Sequence, residues 1–293
     1  MNKNALFVGL NVIDIQFFVD KFPTSNQKIK TAPPYINVGG PAANAAIAFS
    51  FLGGNTTFVT CVGRNAFTPY VYGEYEKYSI KLHDIVEKND VDPVIATVIT
   101  TTNSGERSII SSFPSQVSVP DNLIEYINWD DLGIVVVDGF YPEIAIPVCE
   151  AAREKNIPVV YDGGSWKPSS PEMLPHIDIA ICSEQFFPPA CKEISDVFDF
   201  LRSKGIHKIA ITRGEKSIYY SEDKSINSIP VDHIDSIDSL GAGDIFHGAF
   251  SWFYLKNNNF ELALKQASKV ATFSTLFKGP RQWMKHYSSE FAF

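Results

Sequence analysis

The chain has few cysteines and no paired cysteine motif. Its four cysteines, among 293 residues, lack C-x-x-C spacing, so neither a zinc ribbon nor a dithiol redox motif is predicted. A chain of this length buries a core that needs no disulfide framework. We therefore expect reduced thiols that serve mainly in packing, as in a cytoplasmic protein.

Long apolar runs and blocks of positive charge are also missing. No run approaches the roughly 18 apolar residues of a membrane-spanning helix, and the opening stretch MNKNALFVGLNVIDI predicts a first strand, not a signal peptide. Lys and Arg number 25 against 33 Asp and Glu, a net charge of -8 without a basic cluster. This balance argues against nucleic acid and anionic membranes and favours a small-molecule partner.

Two common nucleotide-binding signatures are absent as well. Neither GxGxxG after the first strand nor GxxxxGK[ST] occurs, which removes the usual sequence support for a dinucleotide-dependent oxidoreductase or a P-loop enzyme. We find no internal repeat and no low-complexity linker, so one main domain over residues 1–293 is expected.

What the chain does have is an alternation of short apolar runs with helical stretches. Alternation of this kind predicts a three-layer α/β domain with a mainly parallel sheet, whose ligands lie beyond the carboxyl ends of the strands. The helical stretches include PAANAAIAFSFLGG and PEIAIPVCEAAREKN. The apolar runs are ALFVGLN, TTFVTCVG, GIVVVDG, IPVVYDGG, IDIAICS and KIAITRG.

Residues 15–38 and 93–113 differ in composition from the continuous apolar runs, and they predict a small β-sheet that projects from the main domain. Asn103-Ser104-Gly105 suits a hairpin turn with a positive φ at Gly105. The sheet could cover a ligand site as a lid, or it could serve as an oligomer interface; both interpretations are open.

The stretch SIDSLGAGD holds the first candidate for chemistry. Gly241, Ala242 and Gly243 leave backbone N–H groups bare, and a helix that begins near Asp244 adds its positive end, so a phosphate group is expected there. A carboxylate at such a place suits a general base that takes a proton from an attacking hydroxyl. The alternative is a plain turn with Asp244 as a helix cap.

Polar and glycine residues farther upstream suit recognition of a polyol. Gly39 and Gly40 permit close approach of the backbone to a ligand, and the amide of Asn44 both donates and accepts hydrogen bonds. Asn11 and Asp14 follow the first strand, where ligands gather. Helix packing and turn chemistry are the alternatives.

Together these motifs resemble the ribokinase-like (PfkB) carbohydrate kinase family. GGPAANAA at 39–46 and DSLGAGD at 238–244 carry the resemblance, which spans essentially the whole chain. It implies a β lid on an α/β domain, ATP and Mg2+ as cosubstrates, and transfer of the γ-phosphoryl group to a hydroxyl of a sugar or nucleoside. The lid hairpin resembles the sulfofructose-kinase-like branch, and the incomplete Asn-x-x-Glu pattern described below resembles both that branch and the ketohexokinase-like branch.

The resemblance also implies roles for single residues. Asp244 matches the catalytic base, residues 241–243 the anion hole, and Asp238 an acid that helps hold a monovalent cation such as K+, although a structural role for it is equally open. The residues that match acceptor-binding positions are Asn11, Asp14, Gly39, Gly40 and Asn44. Those that match the nucleotide side are Ser183, Thr212, Gly214, Ala271, Ser274 and Gly279.

The sequence departs from the family pattern at the predicted metal contact, and the lid holds a further candidate residue. Many members carry Asn-x-x-Glu where this chain has Ser183 and Phe186, so Glu184 through water, or Asp162, is the candidate contact for Mg2+. Arg107 in the lid hairpin suits an anionic group on the sugar, or it is a solvated lid arginine paired with an acid. His247, one helical turn after Asp244, either orients a neighbour or packs.

The sequence thus predicts an ATP-dependent phosphotransferase that acts on a hydroxyl, expected to be primary, of a sugar or sugar derivative. A nucleoside kinase of the same fold is one alternative, in which the lid aromatics Phe17, Phe18 and Tyr35 stack on a base. A sugar-binding homologue that has lost catalysis is another. A homodimer through the lid is implied by the resemblance alone.

Overall fold

A nine-stranded sheet forms the centre of the molecule in a computed structural model that describes residues 3–103, 105–114 and 117–288. Its strands are β1 (Asn4–Val8), β4 (Asn55–Thr60), β5 (Lys81–Asp84), β8 (Leu132–Val137), β9 (Val159–Gly163), β10 (Ile179–Ser183), β11 (Lys208–Arg213), β12 (Lys216–Ser221) and β13 (Asn227–Ile229). They lie in the order β13-β12-β11-β10-β9-β8-β1-β4-β5. The seven strands from β11 to β5 are parallel, and β12 and β13 add an antiparallel edge.

The central strands form where the chain has continuous β-branched and aliphatic residues. Every residue of β9 is buried, as are the last four of β1 and β8. Strands covered on both faces need apolar side chains in both directions, which explains runs such as GIVVVDG. The predicted mainly parallel α/β sheet is confirmed.

Seven helices cover the sheet within the described residues. They are α1 (Pro41–Phe51), α2 (Thr68–Lys77), α3 (Pro142–Glu154), α4 (Ser170–Met173), α5 (Ile194–Ser203), α6 (Ala242–Asn257) and α7 (Phe260–Ser274). Helices α1, α2, α6 and α7 contribute to one buried apolar cluster, and α3, α4 and α5 contribute to another. These two clusters are the two interfaces of a three-layer α/β/α arrangement.

A second, four-stranded sheet has the order β3-β2-β6-β7. Its strands are β2 (Val12–Val19), β3 (Tyr35–Gly39), β6 (Ile95–Thr101) and β7 (Arg107–Ser111). The predicted small sheet is therefore present, although β2 starts before residue 15. Gly105 in the β6–β7 turn has φ +66°, as expected; Ser104 lies outside the described residues.

Close packing of α1 against α6 brings the two glycine-rich motifs together. Gly248 of α6 makes this possible, because a Cβ atom there would overlap the carbonyl oxygen of Ala45 and lie 2.9 Å from Cβ of Ala48. The starts of both helices therefore meet at the carboxyl ends of the central strands. Among the described helices, none combines the length and hydropathy needed to cross a membrane.

Candidate active site

Asp244 lies in the first turn of α6, next to the start of α1. Gly241 precedes the helix with φ +75°, a left-handed conformation that glycine adopts without strain. The Nδ2 atom of Asn44 donates a 2.7 Å hydrogen bond to Oδ2 of Asp244. Two residues 200 positions apart in the chain are thus joined at one site.

The start of α6 presents backbone amides to open space. Helix geometry leaves the N–H groups of Gly243 and Asp244 without an intrahelical acceptor, and a Cβ atom at Gly243 would meet nothing within 4 Å. The amide of Ala242, in contrast, donates to the carbonyl oxygen of Ser239 at 3.2 Å. The geometry therefore favours the amides of Gly243 and Asp244, more than that of Ala242, as anion-binding groups.

Glycine at position 39 makes room for the carboxylate of Asp14. Asp14 on β2 is buried, and a Cβ atom at Gly39 would overlap its Oδ2 atom. Gly40, with φ +98°, leads into α1 and passes close to the carbonyl of Leu10. The Oδ1 atom of Asn44 is buried without a hydrogen-bond partner among the described residues. Such an acceptor is suited to a hydroxyl donor on a ligand.

Two carboxylates of this site are perturbed by their surroundings. Burial raises the pKa of Asp14 to about 7, with a further contribution from the negative charge of Asp244, while Arg281 opposes the shift. Burial and the charge of Asp162 raise the pKa of Asp244 to about 6, against the lowering effects of Asn44, His247 and Arg107. A carboxyl with a pKa near neutrality can accept and release a proton at working pH.

Asp138, which the sequence analysis did not single out, holds two segments of the site together. Its buried carboxylate accepts hydrogen bonds from the amides of Leu10, Ala42 and Phe140 at 2.9, 3.2 and 2.9 Å. It thereby ties the chain before Asn11 to the start of α1. Its only sequence signal is its place at the carboxyl end of a buried strand.

Asn11 is buried in the loop between β1 and β2. Its Oδ1 atom accepts a 2.5 Å hydrogen bond from the hydroxyl of Tyr75 on α2. A small cavity of about 10 Å³ lies beside it, with Asn65 and Tyr141 among the lining residues. Asn11 thus lies between Leu10, which Asp138 ties to the start of α1, and β2, which carries Asp14.

A larger cavity of about 370 Å³ opens on the other side of the α6 start, and Ala242 and Gly243 lie in its wall. Its apolar lining includes Ile218, Val231 and Phe246. Its lining residues come from β11, β12 and the turn between them, the segment before α6, α6 itself, α7, and the β6–β7 hairpin. Such a mixed, concave site suits a nucleotide, with an apolar slot for a base beside amides for phosphates.

Three of the six predicted nucleotide-side residues, Thr212, Gly214 and Ala271, line this cavity. The other three lie outside its lining. Ser183 ends β10 beside Thr212, the hydroxyl of Ser274 donates to the carbonyl of Ala271, and the amide of Gly279 donates to Asp238. Their contact with a nucleotide stays a prediction.

The candidate metal contacts are occupied by protein groups. Glu184 lies 3.7 Å from Nζ of Lys216 and 4.0 Å from Nε of Arg213. Asp162 faces His247 and is not part of the cavity lining. No group of three or more His, Cys, Asp or Glu side chains that could hold a metal ion occurs within residues 3–103, 105–114 and 117–288.

Asp238, the candidate for a monovalent cation, accepts three hydrogen bonds. They come from Nε2 of Gln16 at 2.8 Å, from the amide of Gly279 at 2.8 Å and from the amide of Leu240 at 3.0 Å. These contacts connect the small sheet to the turn before α6. They favour the structural role of Asp238, and cation binding stays a prediction.

The β6–β7 hairpin of the small sheet reaches the turn before α6. Arg107 donates a hydrogen bond from Nη1 to the hydroxyl of Ser239, and Gly105 lines the larger cavity. The positive charge of Arg107 lowers the pKa of Asp244. The structure therefore places this guanidinium between the larger cavity and the carboxylate of Asp244, where it can bind an anion on either side.

Comparisons with known proteins agree with this geometry. A family model described as pfkB family carbohydrate kinase matches residues 2–285. Deoxyribokinase of Salmonella typhi is 23% identical over 93% of this chain and 92% of its own. A nucleoside kinase of Methanocaldococcus jannaschii is 25% identical over 93% and 90%. The structure of Arabidopsis thaliana ribokinase in complex with ribose and ATP has a TM-score of 0.76 at 22% identity, covering 98% of this chain and all (100%) of that one.

Proposed function

The chain belongs to the pfkB family of carbohydrate kinases, and we propose from this premise that it transfers the γ-phosphoryl group of ATP to a hydroxyl of a sugar or sugar derivative. Asp244 is the proposed general base. The amides at the start of α6 are the proposed anion-binding groups.

One observation carries this assignment. The first turn of α6 borders two different environments, because Ala242 and Gly243 line the nucleotide-sized cavity while Asp244 is hydrogen-bonded to Asn44. A sugar held by Asn11, Asp14 and Asn44 would therefore place a hydroxyl beside Asp244. A phosphoryl group in the cavity would meet the amides of the same turn.

The chemistry follows from these positions. The carboxylate of Asp244 accepts the proton of the acceptor hydroxyl as its oxygen attacks phosphorus, and the amides of Gly243 and Asp244 stabilise the negative charge on the transferring group. Asn44 holds the carboxylate in place by donating from Nδ2 to Oδ2 of Asp244, and it offers its own Oδ1 to the acceptor. The small sheet, as a lid, would exclude water, which otherwise competes as the phosphoryl acceptor.

A magnesium ion would be carried by the nucleotide, because the described residues contain no cluster of side chains that could hold a metal ion by itself. In kinases Mg2+ is bound mostly by phosphate oxygens and water with one or two carboxylates, and there it neutralises phosphate charge. Glu184 is the side chain that we propose for contact through water. A potassium requirement, tested by replacing K+ with a large organic cation, is a separate proposal for Asp238.

The test is a screen of acceptor-dependent ADP release with ATP, Mg2+ and K+. Neutral pentoses and hexoses, anionic sugars and nucleosides serve as acceptors. We expect release with at least one sugar and none without an acceptor. Binding of sugar and ATP without any release would instead identify a catalytically inactive homologue.

A nucleoside kinase is the second candidate, and the similarity to the Methanocaldococcus jannaschii nucleoside kinase favours its inclusion. Among the lid aromatics, Phe18 packs edge to face on Tyr35 at 5.7 Å between ring centroids. That contact favours packing over base stacking, so we rank sugars first. Faster ADP release with a nucleoside than with any sugar would reverse the ranking.

We further propose that the small sheet is covered by a second copy of the chain. Ile36, Ile109, Ile110 and Phe113 expose apolar side chains on or next to this sheet, and Phe113 is 95% exposed. Light scattering should give twice the 32.6 kDa chain mass, and Ile110→Lys should give the monomer mass. A monomeric wild type would refute this proposal.

The site itself is compatible with the cytoplasm, where ATP is available.

A further inference from the structure

Arg281 is a buried arginine in the segment after α7, and its side chain bonds to backbone carbonyls. Its Nη2 atom donates a 2.7 Å hydrogen bond to the carbonyl oxygen of Val38 in β3, and Nη1 donates at 3.2 Å to that of Pro280. The Nε atom forms an ion pair at 3.6 Å with Oε1 of Glu74 on α2. One guanidinium thus joins the segment after α7 to the small sheet and to α2.

The carbonyl of Val38 points to the open edge of the small sheet, where β3 is the edge strand. Val38 lies opposite Ile13 of β2, and the amide of Ile13 donates to the carbonyl oxygen of Val94, on the side of β6. In an antiparallel ladder such a pair directs its backbone groups outwards, away from the facing strand. Because Val38 is fully buried, its carbonyl needs a donor from outside the sheet, and Arg281 supplies it.

Tyr70 of α2 holds the same edge of β3. Ile36 lies two residues before Val38 and therefore points its carbonyl in the same direction. The carbonyl oxygen of Ile36 accepts a 2.7 Å hydrogen bond from the hydroxyl of Tyr70. Two successive outward carbonyls of β3 are thus bonded to side chains of the main domain. Movement of β3 away from α2 and from the segment after α7 would break both bonds.

The peptide that Arg281 holds lies next to the proposed acceptor site. The carbonyl of Val38 and the amide of Gly39 belong to one planar peptide unit, so the hydrogen bond to the carbonyl also fixes Gly39. Gly39 is packed so closely against Asp14 that an added Cβ atom would overlap Oδ2 of the carboxylate. A small shift of this peptide therefore changes the space around Asp14. The positive charge of Arg281 acts there too, because it opposes the rise in the pKa of Asp14 that burial causes.

We propose that Arg281 is a positioning residue that fixes the Val38–Gly39 peptide of β3 and thereby sets the geometry around Asp14 in the proposed acceptor site. It acts through the carbonyl of Val38 and does not itself bind the acceptor. Gly279, two residues earlier, is a candidate for the nucleotide side, so the segment after α7 would serve both sides of the site. The kinetic part of the inference rests on the proposed kinase function, whereas the anchoring of β3 does not.

Hydrogen exchange of the intact protein tests the anchor directly. Arg281→Lys keeps the charge but loses the planar fork that bonds two carbonyls, so the amides of β3 should exchange about fivefold faster, as for the loss of one hydrogen bond. Tyr70→Phe should act in the same direction. Arg202→Lys is the matched control that should leave β3 unchanged, because Arg202 of α5 donates to the carbonyl oxygens of Asp223 and Lys224, at 3.0 Å each. Wild-type exchange of β3 in Arg281→Lys would overturn the anchor.

Kinetics test the effect on the site, with the best acceptor of the ADP-release screen. We expect Arg281→Lys to raise KM for this acceptor about 5- to 10-fold, while kcat and KM for ATP stay within about twofold, because the proposed base and anion-binding turn lie on α6. Arg202→Lys should leave all three values unchanged. An unchanged acceptor KM in Arg281→Lys, or an equal rise in KM for ATP, would overturn the positioning role. Absence of ADP release by the wild type would instead refute the kinase function, and hydrogen exchange would still decide the anchor.

Discussion

Gly39 shows how a single missing side chain shapes the proposed acceptor site. Its φ is not in the left-handed region, so the backbone would accept alanine, but the added Cβ would overlap Oδ2 of Asp14. Gly39→Ala should therefore displace the carboxylate and raise KM for the acceptor at least about 10-fold, the effect of losing one good polar contact. KM for ATP should change little.

Gly73→Ala is the control for this substitution. A Cβ atom at Gly73 in α2 would meet nothing within 4 Å, so alanine should leave both KM values unchanged and stabilise the helix by about 0.5–1 kcal/mol. Equal acceptor KM values for Gly39→Ala and the wild type would show that Asp14 does not bind the acceptor.

The raised pKa of Asp14 also leads to a prediction about stability. Its pKa is raised from 3.8 to about 7, so the folded protein binds more protons than the unfolded chain between these values, and its stability falls as pH rises through this window. Asp14→Asn removes that penalty. Urea unfolding should show that the free energy of unfolding of the variant increases relative to that of the wild type between pH 4.5 and pH 8, by at most about 4 kcal/mol. A difference independent of pH would contradict this burial effect.

Arg107 is expected to influence both the pH profile and the affinity for an anion. In the wild type, kcat/KM should rise with pH through about 6 as Asp244 ionises. Arg107→Ala removes a charge that lowers this pKa, so the rise should move to higher pH, and KM for an anionic acceptor should increase more than KM for a neutral one.

Arg153→Ala, at the end of α3 and bonded to the carbonyl of Pro175, is the control. It should leave the profile unchanged. An equal effect of Arg107→Ala on neutral and anionic acceptors would argue that the guanidinium acts on ATP phosphates and not on the acceptor.

Sequence alone supports some of these residue assignments and not others. Asp244 and Asn44 stand inside glycine-rich motifs whose backbone chemistry is local, so both could be nominated from the sequence. Asp138 and the pairing of His247 with Asp162 could not, because those contacts join residues that are 85 or more positions apart. The hydrogen-bond partners of each carboxylate depend on the order of the strands in the sheet, and no local sequence pattern encodes that order.

At the scale of elements, the packing of α1 against α6 determines how Asn44 and Asp244 are placed relative to each other. Gly248→Ala would force the helices apart, because its Cβ overlaps the backbone of Ala45. We expect a loss of about 1–3 kcal/mol, seen as a fall in Tm of about 2–5 °C for a chain of this length, and a lower kcat because the Asn44–Asp244 hydrogen bond lengthens. Lower stability with unchanged kcat would separate the helix packing from the site geometry.

The elements themselves were predictable to differing degrees. Strands such as β8 and β9 are unbroken buried runs, and their composition identifies them. A strand-turn-strand over AITRGEKSIYY was one alternative from the sequence, but composition could not decide it, because KSIYYS has the same composition whether its partner runs parallel or antiparallel. The small sheet was expected from its hairpin, yet residues 20–34 between its first two strands contain no strand.

At the scale of the molecule, the fold converts distant segments into one site. The proposed acceptor residues come from the first 44 positions and the proposed base from position 244, and they meet because β1, β8, β9 and β10 are neighbours at the centre of one sheet. The three-layer class followed from the alternation of elements. The strand order that joins the segments required the structure.

The measurement that tests the central claim most directly is acceptor-dependent ADP release by Asp244→Asn, with ATP binding measured on the same protein. The account predicts a fall in kcat of at least about 100-fold with ATP affinity nearly unchanged, because only the proton acceptor is lost. Asp131→Asn, an exposed site with φ +57° that asparagine tolerates, should behave as the wild type. Near-normal turnover by Asp244→Asn would contradict the account.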